Sequence, residues 1–145
     1  MMFWDASAII PLCVTEKCSE EMKHLLMSDP LMAVWWGTPI ECCSAFARLR
    51  REGNLDNNEE QLARGPMNEL MKIWTEIKPS QKVRDCALRL ISTHPIKSAD
   101  SLQLSAAILW AGSSPRGYSF ICLDKRLRSI ALKEGFVVLP KHRDY

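Results

Sequence analysis

The segment from Ile96 to Gly112, IKSADSLQLSAAILWAG, constrains this chain more than any other. Between Leu102 and Ala111 apolar residues occur on every side of the helix that the spacing predicts, and a helix hydrophobic all round is a buried one. Its first turn nevertheless carries an acid, Asp100. A carboxylate at the mouth of a buried helix costs several kcal/mol in desolvation unless a cap, a partner or a metal ion offsets it. The plainest account makes Ser98 the N-cap and Asp100 a complement to the helix dipole. Other acids in the chain bear on the choice.

The 145 residues suit one domain, 1–145, with no repeat or low-complexity tract to mark a second. With 47% hydrophobic and 25% charged residues, the composition is that of a soluble globular protein. No apolar run approaches the roughly 20 residues that span a bilayer, and the start, MMFWDASAII, has an acid where a signal peptide has positive charge. These features predict a cytoplasmic protein without membrane association. The six cysteines sit mostly in apolar segments, which favours reduced, buried thiols over a disulfide framework. No C-x-x-C pair is present and His24, His94 and His142 are scattered, so a structural zinc site is not expected. A net charge of +2 does not by itself select a partner.

In chain order, Met2 to Trp4 reads as a buried strand with Asp5 at its carboxyl end, followed by a turn and a short helix over Ala8 to Val14. Ser19 to Met27 is a helix capped by Ser19, and Leu31 to Trp36 is a continuous apolar strand bounded by Pro30 and Gly37. Thr38, Pro39 and Glu41 form a T-x-x-E start, predicting Thr38 as N-cap in a capping box and a helix that Gly53 stops. Asn57 to Lys78 is expected to be helical, broken or bent at Gly65-Pro66, with Met67, Leu70, Met71 and Trp74 as a core or partner stripe. A helix over Pro79 to Thr93 starts at Ser80. The long apolar helix follows, then a strand over Tyr118 to Leu123, Asp124, a helix over Lys125 to Glu134 and a strand over Phe136 to Leu139. The tail from Pro140 to Tyr145 is polar and expected to fray.

Strands alternating with helices call for an α/β fold, a parallel sheet covered on its faces. In such sheets ligands bind beyond the carboxyl ends of the strands. Asp5 and Asp124 fall on that edge, and Glu41 and Asp100 lie in first turns of helices that can point to it. Each acid also has a local structural role open to it, as a cap, a capping-box partner or a dipole complement. Together, carboxylates at one half-buried edge repel and raise one another's pKa unless cations neutralise them. Oxygen ligands alone favour Mg²⁺ or Mn²⁺, and such ions activate water against phosphodiesters.

FWDASAIIPL (3 to 12), VWWGTPIECCSAFARLRREG (34 to 53), IKSADSLQLSAAILWA (96 to 111) and FICLDKRLRSIALKEGFVVL (120 to 139) together resemble the PIN-domain ribonucleases, and among them the VapC-like toxins of toxin-antitoxin systems. The resemblance implies a three-layer α/β/α sandwich around a parallel sheet of four to five strands. It places the family's acids on Asp5, Glu41, Asp100 and Asp124. Asp5 and Asp100 are then the principal metal ligands, Asp124 a third or water-mediated one, and Glu41 a ligand or water-orienting base. The activity implied is Mg²⁺- or Mn²⁺-dependent cleavage of RNA by a homodimer that a small antitoxin silences. Ser7 matches the family's hydroxyl residue two places after the first acid, there to orient the carboxylate or a phosphate, or simply to start a helix. Cys122 departs from the hydroxyl residue that many members have two places before the last acid.

For RNA phosphates the candidates are Arg48, Arg51, Lys125, Arg126 and Arg128, each equally at home on a solvated helix face. Trp35 and Trp36 read as buried, which leaves no aromatic for stacking bases. Two other functions compete: a non-catalytic module of the same fold that binds RNA or protein, and a Mg²⁺-dependent receiver-type domain. The latter needs a second acid beside Asp5 and a nucleophilic Asp after a middle strand, and Gly37-Thr38 follows the strand ending at Trp36.

Overall fold

A computed structural model describes residues 1–141. Five short strands form one sheet, all parallel: β1 (Met2–Trp4), β2 (Met32–Trp35), β3 (Thr75–Ile77), β4 (Ser119–Ile121) and β5 (Val137–Leu139), in the spatial order β3-β2-β1-β4-β5. Seven helices make the connections: α1 (Ala6–Cys13), α2 (Ser19–Ser28), α3 (Thr38–Arg51), α4 (Asn57–Met71), α5 (Gln81–Thr93), α6 (Ser98–Trp110) and α7 (Lys125–Glu134). The result is an α/β/α sandwich.

Period-2 alternation in the strands divides the core into two layers. Phe3, Ala33, Trp35 and Phe120 face one side, where they pack with Leu90 of α5, Leu104 of α6 and Leu127 of α7. Met2, Trp4, Met32, Val34 and Ile121 face the other, against Ile9, Met22, Phe46 and Met67 of the first four helices. Phe3 and Phe120, on adjacent strands, stack at 5.7 Å and 9°. The apolar helix α6 is buried along most of its length, as its composition demands.

Several local expectations fail, each for a physical reason. The helix expected over Asn57 to Lys78 ends at Met71, and the segment after it becomes the edge strand β3, pairing Thr75, Glu76 and Ile77 with Ala33, Val34 and Trp35. Trp74, read as a helical core position, reaches the core from the start of this strand, its indole N–H donating to Glu76 at 3.0 Å. Gly65-Pro66 does not break α4, since Pro66 and Leu62 lie on its exposed side, where water serves the carbonyl that proline leaves without a donor. Its start is a capping box of Asp56 and Glu59.

Thr38 is not an N-cap. Gly37 flanks α3 and Thr38 is its first helical residue, fully buried, with its hydroxyl engaged by Gln103. Likewise Ser98 opens α6 instead of capping it, Lys97 being the flanking residue, and the Ser98 carbonyl accepts from the Ser101 hydroxyl. All six cysteines are free thiols. Of the tail, residues 142–145 lie outside the described part. No described helix is long and apolar enough to cross a membrane.

Candidate functional site

The chain leaves the middle of the sheet from β1, builds outward to β2 and β3, then returns to lay β4 on the other flank of β1. Strand order therefore reverses between β1 and β4, and the crevice beyond the carboxyl ends at such a point is where open α/β sheets bind ligands. Asp5 follows β1 directly and Asp124 follows β4 by a short loop. Both cap the next helix: the Asp5 carboxylate accepts from the Ser7 N–H at 3.1 Å, and that of Asp124 from the Leu127 N–H at 2.8 Å. The local roles open to these two acids are thus realised. They do not account for the electrostatics.

Asp5 is buried, and burial pushes its carboxyl up to about 6. The Ser7 hydrogen bonds restrain the rise and the Asp100 charge adds to it. Glu41 is pushed up to about 7, first by burial, with the charges of Asp5 and Asp100 adding and a hydrogen bond from Gln103 opposing. Asp100 is raised by burial and by Asp124, while Lys97 and Arg126 pull it back. Residues far apart in sequence thus share one field: Asp5 with Asp100, Glu41 with both, and Asp100 with Asp124.

Ser7 joins two loops. Its hydroxyl donates to Asp5 and accepts the Leu123 N–H at 3.0 Å, which ties the start of α1 to the loop after β4. With both capacities engaged, it orients the carboxylate. Cys122 fills the position beside it, its thiol 3.6 Å from the same Asp5 oxygen, so a weak donor stands where a hydroxyl was expected in the pattern.

Gln103 was not anticipated. It is fully buried on α6 and its amide nitrogen donates to Thr38 at 2.9 Å and to the Glu41 carboxylate. Its amide oxygen is buried without a partner. The one sequence signal was a long amide inside an otherwise apolar helix, which the stripe of leucines and alanines around it obscured.

The basic candidates separate. Lys125 and Arg126, both exposed, line a cleft of about 640 Å³ together with Asp100 and Asp124. Arg128 is committed elsewhere, donating to the carbonyls of Cys122 at 2.7 Å and Pro140 at 2.6 Å. Arg48 and Arg51 lie at the far end of α3 from Glu41, roughly 10 Å or more along the axis; Arg48 exerts its charge on Glu16. Trp35 is buried as expected, but Trp36 is 45% exposed just past the end of β2.

An all-oxygen donor set suits a hard divalent cation. Among the described residues no three His, Cys, Asp or Glu stand close enough to form a ready ligand cage. Mg²⁺ takes one or two carboxylates and fills the rest of its shell with water and substrate phosphate, and Asp5 and Asp100, the one charge acting on the other, are the pair that would hold it.

No family model and no curated protein matches this sequence. Solved structures do. A chain in a toxin-antitoxin complex from Klebsiella pneumoniae superposes with a TM-score of 0.61 at 20% identity, over 87% of this chain and 89% of that one. A chain in the crystal structure of FitAcB from Neisseria gonorrhoeae superposes with a TM-score of 0.67 at 14% identity, over 97% of each. This chain has the PIN-like fold. At such identities the likeness is one of architecture. Within the PIN-like sheet, Asp5 and Asp124 follow the two strands that flank the reversal point, β1 and β4.

Proposed function

We propose that this chain is a Mg²⁺- or Mn²⁺-dependent endoribonuclease, the toxin of a toxin-antitoxin pair, acting as a homodimer that a small antitoxin holds silent. The observation that carries the enzymatic part is the charge coupling by which Asp100 raises Asp5 and both raise Glu41, although the three lie in distant segments of the sequence. A fold without chemistry at that edge gains nothing from acids that raise one another's pKa. The antitoxin is drawn from the neighbour in the toxin-antitoxin complex and from the sequence resemblance, and the dimer from the resemblance alone.

In this reading Asp5 and Asp100 hold the cation and Asp124 is a third or water-mediated ligand. A divalent ion supplies a bound water of lowered pKa and countercharge for a phosphodiester. Glu41, with a carboxyl near neutrality, is matched to accept a proton from water. Gln103 fixes the Glu41 carboxylate and Ser7 that of Asp5. Lys125 and Arg126 receive substrate phosphate, and the exposed indole of Trp36 offers a face on which a base can stack.

The test is cleavage of total RNA with Mg²⁺, Mn²⁺ or EDTA, comparing the natural protein with Asp5→Asn and Asp100→Asn. Cutting should require the cation and fall at least a hundredfold in both variants, on the order of 3 kcal/mol in the barrier. Equal cutting by the Asp100→Asn protein overturns the assignment. RNA binding without cutting in either cation leaves the non-catalytic module instead.

A further inference from the structure

The cleft holding Asp100 and Asp124 continues away from the acids, between the start of α6 and the exposed face of α7. Beyond Lys125 and Arg126 its walls carry Lys97, Ser129 and Lys133. Arg126, Ser129 and Lys133 are spaced i, i+3 and i+7, so they share one helix face and span roughly 10 Å along it. Lys97 stands opposite, flanking α6.

Among the described residues none of these cations is in an ion pair of 4 Å or less, although other surface lysines of the chain, Lys23 and Lys72, are each paired with a nearby glutamate. Lys97 and Arg126 do act on Asp100 through space. Positive charge thus accumulates in a concave tract that opens on carboxylates, an arrangement suited to a ligand with a regularly repeating negative charge. A cation held by the carboxylates would offer countercharge to one phosphate, and neighbouring phosphates would then meet the lysines.

We propose that this tract is the backbone-binding groove for a single RNA strand leading away from the scissile phosphate, with Lys97 and Lys133 as its phosphate contacts and Ser129 as a hydroxyl donor between them. The assignment rests on the nuclease reading for its ligand, but its test does not require cutting. A groove between two helices, with its charges along one helix face, follows one strand; a duplex carries two diverging rows of phosphate.

The experiment is fluorescence anisotropy in EDTA with a labelled single-stranded RNA about 12 nucleotides long, titrated across a salt series. The Lys97→Ala/Lys133→Ala protein should bind more weakly at low salt, with a log–log salt slope shallower by about 1.4, roughly 0.7 per lost phosphate contact on a single strand. The Lys97→Arg/Lys133→Arg protein should recover the slope. A Lys23→Ala/Lys72→Ala protein, with the same net charge change, should keep the natural slope. An unchanged slope in the first variant, or an equal loss in the control, overturns the groove, as does competition by polyglutamate equal to that by RNA or the same slope loss with duplex RNA. If the slope falls as stated while no cation supports cutting, the nuclease reading fails and the groove stands. If cutting is robust and the slope does not move, the groove alone is wrong.

Discussion

Asp5 is a buried acid held by neighbours that only partly offset its burial, and this sets a measurable pH dependence. Its carboxyl ionises near 3.8 in the unfolded chain and at about 6 when folded. The folded protein is therefore the better proton binder in between, and metal-free stability falls as pH rises from about 4 through 6. Glu41 extends the decline to about 7. Asp5→Asn removes the first contribution and keeps an oxygen for Ser7 to bond. Urea denaturation in EDTA should show the variant gaining on the natural protein between pH 4 and 7, by about 3 kcal/mol at most; a pH-independent difference would contradict this. Gln103 makes a second case. Gln103→Leu keeps the volume but leaves Thr38 and Glu41 without their shared donor, so stability should drop by about 1 to 3 kcal/mol. Cutting should fall through kcat with KM little changed, and Gln103→Asn should not restore it, because a side chain one methylene shorter falls short of Glu41.

At the scale of elements, α7 is fixed to α5 by Glu134, which accepts from both guanidinium nitrogens of Arg89, at 2.7 and 3.3 Å, and lies 2.8 Å from His94. These partners, Arg89 foremost, hold the Glu134 carboxyl below its ordinary range. A depressed carboxyl stabilises the fold above its unfolded pKa and loses that contribution as pH falls through the folded one. Glu134→Gln should thus cost about 1 kcal/mol or less near neutrality, Arg89 being half exposed, and nothing in strong acid, as a denaturation series across pH will show. Asp56→Ala, at the start of α4, should cost about 1 kcal/mol of stability and leave cutting unchanged. Much of the element order was legible because each strand is a short apolar run between turn residues and each helix repeats on one face. β3 was not. Its Trp74 continued the spacing of Met67, Leu70 and Met71, and a three-residue edge strand has too few residues to announce its own period. The Thr38 start was misread in its chemistry for a different reason: the hydroxyl and the carboxylate that would close a capping box are both claimed by Gln103, whose position next to α3 depends on packing across the sheet.

For the molecule as a whole, Asp5 and Asp124 share one edge because β1 and β4 are neighbours in the sheet. Their places after strands were legible in the sequence, whereas the hydrogen bonds around Asp5 and Glu41 were not, being made between residues far apart in sequence. A divalent cation that binds only the assembled site should raise thermal stability, by about 3 kcal/mol at a hundredfold excess over its Kd. Calorimetry with Mn²⁺ should show that gain in the natural protein and little of it in Asp5→Asn or Asp100→Asn; equal shifts in all three would place the ion elsewhere.

The central strand precedes both of its neighbours in the sequence, and they follow at very different distances: β2 soon after it, β4 only from Ser119 onward. The Leu123 N–H donates to the Ser7 hydroxyl that holds Asp5, and the Cys122 thiol stands beside Asp5 itself. During translation, then, a chain delivered only as far as Gly117 holds Asp5 without these neighbours, and Asp124 is not yet made. The edge beyond β1 and β4 is completed only when β4 and the loop after it have emerged.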